Sequence, residues 1–165
     1  MKQLIFRLEK DAPYEITDME GYRFAFIGGV QSFCKETAII LRHEGMLNAL
    51  RVLLKVLNGK RKYCMVIDSC ECITSHAWLS LGFCRHYKVD PSAVVIGPVW
   101  TGEVYRGKGL ASWLLCNSIN NMLRYNLKMF YVDTASDNTA MLKVIEKLGF
   151  DSKILEFDRP VDGFR

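Results

Sequence analysis

The strongest constraint on how this chain folds is a glycine-rich segment near its middle, Arg106-Gly107-Lys108-Gly109-Leu110-Ala111. The residues before it, 93–100, form a short apolar and β-branched run, which is typical of a buried strand. In the residues after it, up to Tyr125, apolar side chains recur at helical spacing. Two close glycines allow a tight turn, and a helix that begins there directs backbone N–H groups and its positive dipole end at one point. The order of strand, turn and helix therefore predicts a binding site for an anion such as a phosphate group.

The rest of the chain is predicted to place strands early and to alternate strands with helices later. The predicted strands are residues 4–8, 63–68, 72–81, 93–100, 129–133 and about 154–157. The predicted helices are residues 37–44, 46–57, 110–125 and about 138–148, with Gly45 as a break and Gly149 as a stop. Residues 24–30 are apolar but end in Gly28-Gly29, so their conformation is left open. This order indicates an α/β chain with a mixed sheet and helices on its faces.

Length and composition indicate one compact domain over residues 1–165. The chain is 50% hydrophobic and 24% charged, and it contains no low-complexity tract. No apolar run approaches the roughly 20 residues that span a bilayer, and the N-terminal residues are charged too early for a signal peptide, so we expect a cytoplasmic protein without a membrane partner. The net charge is only +4, and the basic cluster Lys60-Arg61-Lys62 follows Asn58-Gly59, which is typical of a solvated turn. Nucleic acid is therefore not an expected partner.

The cysteines are expected to be reduced and structural. Six occur, most of them in apolar segments, and the chain lacks a secretion signal. Cys70-Glu71-Cys72 is the one pair with close spacing, but a structural zinc site needs a second suitable pair. The sequence therefore predicts no metal.

Two alternatives account for the glycine-rich segment. Residues 102–108 fit the glycine, four residues, glycine, lysine spacing of a nucleotide-triphosphatase loop, and residues 129–133 resemble an apolar strand that ends in an acid. That loop, however, requires a serine or threonine hydroxyl for magnesium, and this position is Gly109.

The second alternative rests on two separate signatures. Arg106-x-x-Gly109-x-Ala111, between a strand and an amphipathic helix, resembles the Q/R-x-x-G-x-G/A signature of the GNAT acyltransferases. Asn138 together with Glu146-Lys147-Leu148-Gly149-Phe150 is similar to the second GNAT signature. The resemblance extends over about residues 94–151 and implies a mostly antiparallel central sheet with splayed central strands. It also implies acetyl-coenzyme A as the co-substrate.

The resemblance identifies candidate residues for coenzyme binding. In this family the turn amides surround the pyrophosphate, and the strand before the turn hydrogen-bonds the pantetheine arm. Gly97-Pro98 favours a distorted, partly unpaired strand at that place. The residues that correspond are Val99, Trp100, Thr101, Arg106, Gly107, Lys108, Gly109, Leu110, Ala111 and Asn138.

The catalytic residues are less well defined, because the chain departs from the family at two positions. Ile145 replaces the usual tyrosine acid, and residues 93–96 contain no carboxylate to serve as base. The remaining candidates near predicted strand ends are His76, Glu71, Glu103 and Asp133 as base and Tyr131 as acid. Residues 78–87, which are rich in aromatic side chains, either line an acceptor pocket or pack in the core.

The function that the resemblance implies is transfer of an acetyl group to a primary amine of a small molecule, amino sugar or peptide. The missing tyrosine and carboxylate leave a non-catalytic coenzyme-binding module as the alternative. A homodimer is compatible with either.

Overall fold

The computed structural model describes residues 2–158, which contain seven strands and three α-helices. In chain order they are β1 Lys2–Glu9, β2 Tyr22–Ile27, α1 Val30–Leu57, β3 Arg61–Asp68, β4 Ile73–Leu81, β5 Val94–Thr101, α2 Leu110–Leu123, β6 Met129–Ala135, α3 Thr139–Lys147 and β7 Leu155–Asp158. All strands belong to one sheet in the order β2-β3-β4-β5-β6-β1-β7. Only the β5–β6 pair is parallel, so the predicted mixed and mostly antiparallel sheet is confirmed.

Helices cover both faces of the sheet because strand side chains alternate between the faces. On β3, Cys64 and Val66 pack with α2 and α3, whereas Tyr63 and Met65 pack with α1 on the other face. The middle of this strand, residues 63–67, is buried on both sides, which explains why it contains no charged residue. The apolar stripe of α2 that was predicted from the sequence, including Leu114, is buried in the first of these two cores, except for Leu123, which is partly buried.

The central strands separate at Gly97. β5 and β6 pair only from Val94 to Ile96, although β5 continues to Thr101. Gly97 has φ +142°, and Pro98 has no N–H to donate to a ladder. The register between β4 and β5 also shifts at this place, between Ala77 and Leu79. The predicted splay of the central strands is therefore present, and it leaves an opening beside the C-terminal half of β5.

The first helix differs most from its prediction. It begins at Val30 rather than at residue 37, because the Ser32 hydroxyl accepts hydrogen bonds from the Gly28 and Gly29 N–H groups. The predicted break at Gly45 is confirmed, since this residue has the non-helical φ of +74° inside α1. Residues 24–30, which were left open, divide into the end of β2 and the start of this helix.

The second half of α1 has an exposed apolar side. It consists of Met46, Leu47, Leu50, Leu54 and Leu57. Within residues 2–158, the helices are too short or too polar to cross a bilayer. The expectations of a single domain and of a possible homodimer stay predictions.

Candidate active site

The glycine-rich segment forms an open turn at the N-terminus of α2. Gly107 and Gly109 have φ of +77° and +78°, a left-handed conformation that strains residues with a Cβ. No atom lies within 4 Å of where a Cβ would stand at either glycine, so the space in front of the turn is free. Leu110, the first residue of α2, is buried beneath the turn and fixes the start of the helix. The turn therefore presents the N-terminal amides of α2 to an open surface, as predicted.

The turn is joined firmly to the end of the sheet. The Gly102 N–H donates to the Thr74 carbonyl at 3.0 Å, and the Tyr105 hydroxyl donates to Asp68 Oδ2 at 2.8 Å. The Ser75 hydroxyl donates to the Trp100 carbonyl at 2.8 Å. These bonds all point to the β3–β4 side, so the edge of β5 that faces β6 is not used by them.

A cleft of about 1190 Å³ runs from this turn through the opening between β5 and β6. Nine of the ten predicted coenzyme-binding residues line it: Val99, Trp100, Thr101, Arg106, Gly107, Gly109, Leu110, Ala111 and Asn138. Lys108, the tenth, is not in its lining, and its Nζ atom lies 5.3 Å from the centre of the Tyr105 ring. The exposed Arg106 side chain has two loose contacts, a pair with Glu103 at 3.8 Å and a hydrogen bond from its Nε atom to the Thr101 carbonyl at 3.4 Å.

Asn138 caps α3 and also lines the cleft. Its Oδ1 atom accepts a hydrogen bond from the Met141 N–H at 3.1 Å, so the predicted capping role is confirmed. Gly149, with φ +74°, follows the helix as expected. Within residues 2–158, the side-chain amide nitrogen of Asn138 donates no hydrogen bond, and the residue lines the cleft.

Asp133 is the only one of the five predicted catalytic candidates that lines the cleft. It follows Val132, the last β6 residue paired with β5, so it lies where the strands separate. Its carboxylate accepts hydrogen bonds from Gln3 Nε2 at 2.7 Å and from the Tyr87 hydroxyl at 3.4 Å. Burial and the neighbouring Asp133 raise the pKa of Tyr87, so this phenol stays protonated and remains a donor. The carboxylate is thus oriented from two sides.

His76 lies beside the cleft rather than in its lining. Its ring stacks on Trp100 with centroids 5.1 Å apart, and Trp100 itself lines the cleft. Burial lowers the pKa of His76 to about 4, and its Nδ1 atom is buried without a hydrogen-bond partner. The ring is therefore neutral at physiological pH and only weakly basic.

His76 belongs to a cluster that sequence spacing did not reveal. Its nitrogen, a nitrogen of His43 and a carboxylate oxygen of Glu44 lie within 4.8 Å of one another, a grouping that could hold a metal ion. Glu44 Oε1 also accepts a hydrogen bond from the Tyr63 hydroxyl at 3.0 Å. The cluster joins the kink of α1 to β4, and no local motif connects these two elements.

The other predicted catalytic residues lie elsewhere. Glu71 is in the turn between β3 and β4, where it is exposed and 4.0 Å from Arg42. Tyr131 is half-buried, with its ring 6.3 Å from that of Tyr87. Ile145, at the position of the family's tyrosine, is 2% exposed in the core.

The far end of the cleft was predicted only in part, through residues 78–87, several of which line it. Lys55, Arg61, Trp78 and Phe83 line it, together with Arg85 and His86. Arg61 was interpreted as part of a solvated turn, but it is the first residue of β3 and only partly exposed. A single aromatic-rich stretch was the only sequence signal for this region, and it does not indicate the contribution of α1.

A mostly antiparallel sheet that opens beside a glycine turn is the arrangement that the resemblance to the acyltransferases predicts. The model of the acetyltransferase (GNAT) family matches residues 67–150, which is half of the chain. The chain therefore belongs to this family. The match includes both signatures found in the sequence, and it favours the acyltransferase over the nucleotide-triphosphatase alternative.

Solved structures of acetyltransferases have a fold similar to that of this chain. A GNAT-family protein from Novosphingobium aromaticivorans is 19% identical, with a TM-score of 0.55, over 93% of this chain and 61% of that one. An aminoglycoside 6'-N-acetyltransferase from Acinetobacter baumannii is 14% identical, with a TM-score of 0.57, over 88% of this chain and 98% of that one. A ribosomal-protein-S5-alanine acetyltransferase from Vibrio fischeri is 18% identical, with a TM-score of 0.59, over 81% of each chain.

Other comparisons limit what these similarities imply. This chain spans 48% to 61% of the length of the first four solved structures that it matches. Among curated proteins, none matches the chain. Sequence identities of this size to the solved structures establish the shared fold.

Proposed function

We propose that this protein is an acyl-coenzyme A-dependent N-acyltransferase that transfers an acetyl group from acetyl-coenzyme A to a primary amine. The observation that carries the proposal is one continuous cleft with the glycine turn at one end and Asp133 where the strands separate. An anion site and a carboxylate within one cleft are what a thioester donor and an amine acceptor require.

The donor is proposed to bind along the turn and β5. Its pyrophosphate accepts hydrogen bonds from the amides at Gly107 and Gly109, with Arg106 as a counter-charge. Its amide-bearing arm lies along residues 99–101 like an added strand, since β6 does not pair there. Asn138 can contact the arm from the start of α3 through its free amide nitrogen.

The acetyl group is proposed to move in a single direct transfer. The amine nitrogen attacks the thioester carbonyl and a C–N bond forms. The nitrogen then loses a further proton to solvent, and the C–S bond breaks to release the coenzyme thiolate. Asp133 holds the ammonium group and accepts its proton, directly or through one water molecule, before the attack. The buried Ile145 offers no acid, so the thiolate takes its proton from solvent, which a thiol with a pKa near 8.5 tolerates.

Asp133 is preferred over His76 as the base. His76 is not in the lining of the cleft, and burial keeps its imidazole uncharged, so it has no negative charge with which to hold an ammonium group. A position in the cleft and two hydrogen bonds that fix the carboxylate favour Asp133. His76 instead supports the Trp100 ring from behind.

The proposal is tested by release of free thiol from acetyl-coenzyme A in the presence of amines, amino acids, amino sugars and peptides. Amine-dependent release with formation of the acetylated amine supports the transferase. Tight coenzyme binding without release for any acceptor would favour the non-catalytic module. Magnesium-dependent ATP binding in place of coenzyme binding would support the nucleotide-triphosphatase alternative.

A further inference from the structure

The two ends of the cleft both carry positive charge. Arg106 lies at the glycine turn, where the donor is proposed to bind, while Lys55, Arg61 and Arg85 line the opposite end. Among the cleft-lining residues within 2–158, Asp133 is the only acid. An anion that binds at the far end would therefore meet several cations and one carboxylate.

The strand register separates these two ends. Arg61 pairs with Ser80, and Ser80 pairs with Val95, whereas the glycine turn follows Thr101 on the same strand. Six residues of extended chain between Val95 and Thr101 span on the order of 20 Å. The cations at Lys55 and Arg61 are thus remote from the amides that face the donor's pyrophosphate, with Asp133 and the strand opening between them.

Two of the cations at the far end, Lys55 and Arg61, are not held in ion pairs within residues 2–158. Burial first, and then the nearby Arg61 and Arg51, lower the pKa of Lys55. Glu44 acts on the Lys55 pKa in the opposite direction, but from beyond salt-bridge distance, so both cations remain available to an anionic ligand.

The walls next to these cations are aromatic. The Lys55 Nζ atom lies 4.9 Å from the centre of the Trp78 ring, and Phe83 is 49% exposed although it is large and apolar. Trp100, which is 39% exposed, lines the same cleft nearer to the glycine turn. A ligand with an apolar or flat body between its two polar ends would cover these surfaces.

We propose that the acceptor is an amine that also carries an anionic group, a carboxylate or a phosphate, which binds Lys55 and Arg61 while the amine faces Asp133. This inference rests on the proposed function. It excludes a polycationic acceptor: the aminoglycosides named for the Acinetobacter structure would place like charges against Lys55 and Arg61. The positive charge at the far end of the cleft therefore determines which acceptor amines are accepted.

Matched acceptor pairs test the inference. kcat/KM is measured for phenylalanine against phenylalaninamide, and for glucosamine 6-phosphate against glucosamine, with neamine as the polycation. We expect the anionic member of at least one pair to be favoured by about 10-fold or more, since a hydrogen bond to a charged group is worth about 1.5–3 kcal/mol. The pair that responds distinguishes a carboxylate from a phosphate. Equal use of anionic and neutral members, or preference for neamine, would overturn the inference.

Variants of Lys55 and Arg61 test whether these two side chains cause the preference for an anionic acceptor. Arg61→Gln and Lys55→Gln should raise the acceptor KM and abolish the preference, while the Kd for acetyl-coenzyme A stays unchanged. Lys60→Gln is the matched control, because Lys60 is exposed and does not line the cleft. Weaker coenzyme binding in the Arg61 or Lys55 variant would assign these cations to the donor and overturn the inference. Thermal melting of each variant checks that the fold is retained.

The same assay separates this inference from the proposed function. If neutral amines are acetylated as well as anionic ones, the protein is a transferase and only the acceptor class is wrong. If acetyl-coenzyme A binds and no amine of any charge is acetylated, the proposed function is wrong and the acceptor class with it.

Discussion

Gln3 donates a hydrogen bond from its side-chain amide to the Asp133 carboxylate at 2.7 Å, across 130 residues of sequence. Gln3 is 5% exposed and its Oε1 atom has no partner, so this buried amide has one main use in the fold, which is to hold Asp133. The contact joins β1 to β6 next to the opening between the central strands. A base that must meet a substrate in one geometry needs such support.

Replacement of Asp133 tests its role directly. Asp133→Asn keeps the shape and the contact with Gln3 but removes the charge that would hold an ammonium group and take its proton. We expect kcat to fall by about 100-fold or more, with the Kd for acetyl-coenzyme A unchanged. Steady-state kinetics and calorimetric titration measure the two quantities.

Asp137→Asn is the control for that variant, because Asp137 is an exposed acid four residues further along that does not line the cleft. It should leave kcat within about twofold, as surface substitutions do. If Asp133→Asn retained wild-type kcat, the proton would have to leave by another route.

The glycine turn is tested by a pair of substitutions that differ only in charge. Gly109→Asn and Gly109→Asp both add a side chain at φ +78°, which asparagine and aspartate tolerate better than other residues. Only Gly109→Asp places a negative charge in front of the α2 amides. The affinity for coenzyme A should fall by a further factor of about 10 or more in Gly109→Asp relative to Gly109→Asn. Equal affinities in the two variants would mean that the pyrophosphate binds elsewhere.

Much of this turn could be predicted because its determinants are local. A strand, two glycines and an amphipathic helix follow one another within about thirty residues, and Asn138 with Gly149 marks the ends of α3 in the same way. The prediction placed α1 seven residues late, since its start depends on Ser32 bonding back to Gly28 and Gly29.

The far end of the cleft, where the acceptor is proposed to bind, could be predicted only in part, because distant segments build it. Lys55 comes from the end of α1, Arg61 from the start of β3 and Phe83 from the loop after β4. The contact between Gln3 and Asp133 and the grouping of His43 with His76 depend equally on the sheet order. A periodic pattern shows which face is buried, and it does not show which strands lie side by side.

His76 should make the protein less stable in acid. Burial holds its pKa at about 4 in the folded chain, against 6.5 for a free imidazole, and His43, Glu44, Tyr63 and Trp100 face the ring. The unfolded chain therefore binds more protons between these two pH values. The free energy of unfolding should fall as the pH falls through this window, by at most about 1.4 kcal/mol per pH unit from this residue.

Denaturant unfolding at a series of pH values measures that slope. His76→Phe keeps the aromatic contacts and removes the titration, so its unfolding free energy should vary less with pH below 6.5. The same slope in both proteins would show that other groups cause the acid sensitivity.

Restoring the family's tyrosine at position 145 should not restore an acid. Ile145 is 2% exposed and packs in the core between α3 and the sheet, where a larger polar side chain does not fit. We expect Ile145→Tyr to lower the free energy of unfolding by about 1–3 kcal/mol and to leave kcat no higher. Ile145→Val, which removes one methyl group, should cost only about 1 kcal/mol. A raised kcat with unchanged stability in Ile145→Tyr would indicate that this side chain reaches the thioester.

Acetyl transfer from coenzyme A bound at the glycine turn is tested most directly by measuring free coenzyme A thiol and acetylated amine in one reaction, for the wild-type chain, Gly109→Asn and Gly109→Asp. Thiol release by the wild-type chain should depend on the amine and match the acetylated product mole for mole. It should persist in Gly109→Asn and be largely lost in Gly109→Asp. Release of thiol without acetylated amine, or equal transfer by the two variants, would contradict this proposal.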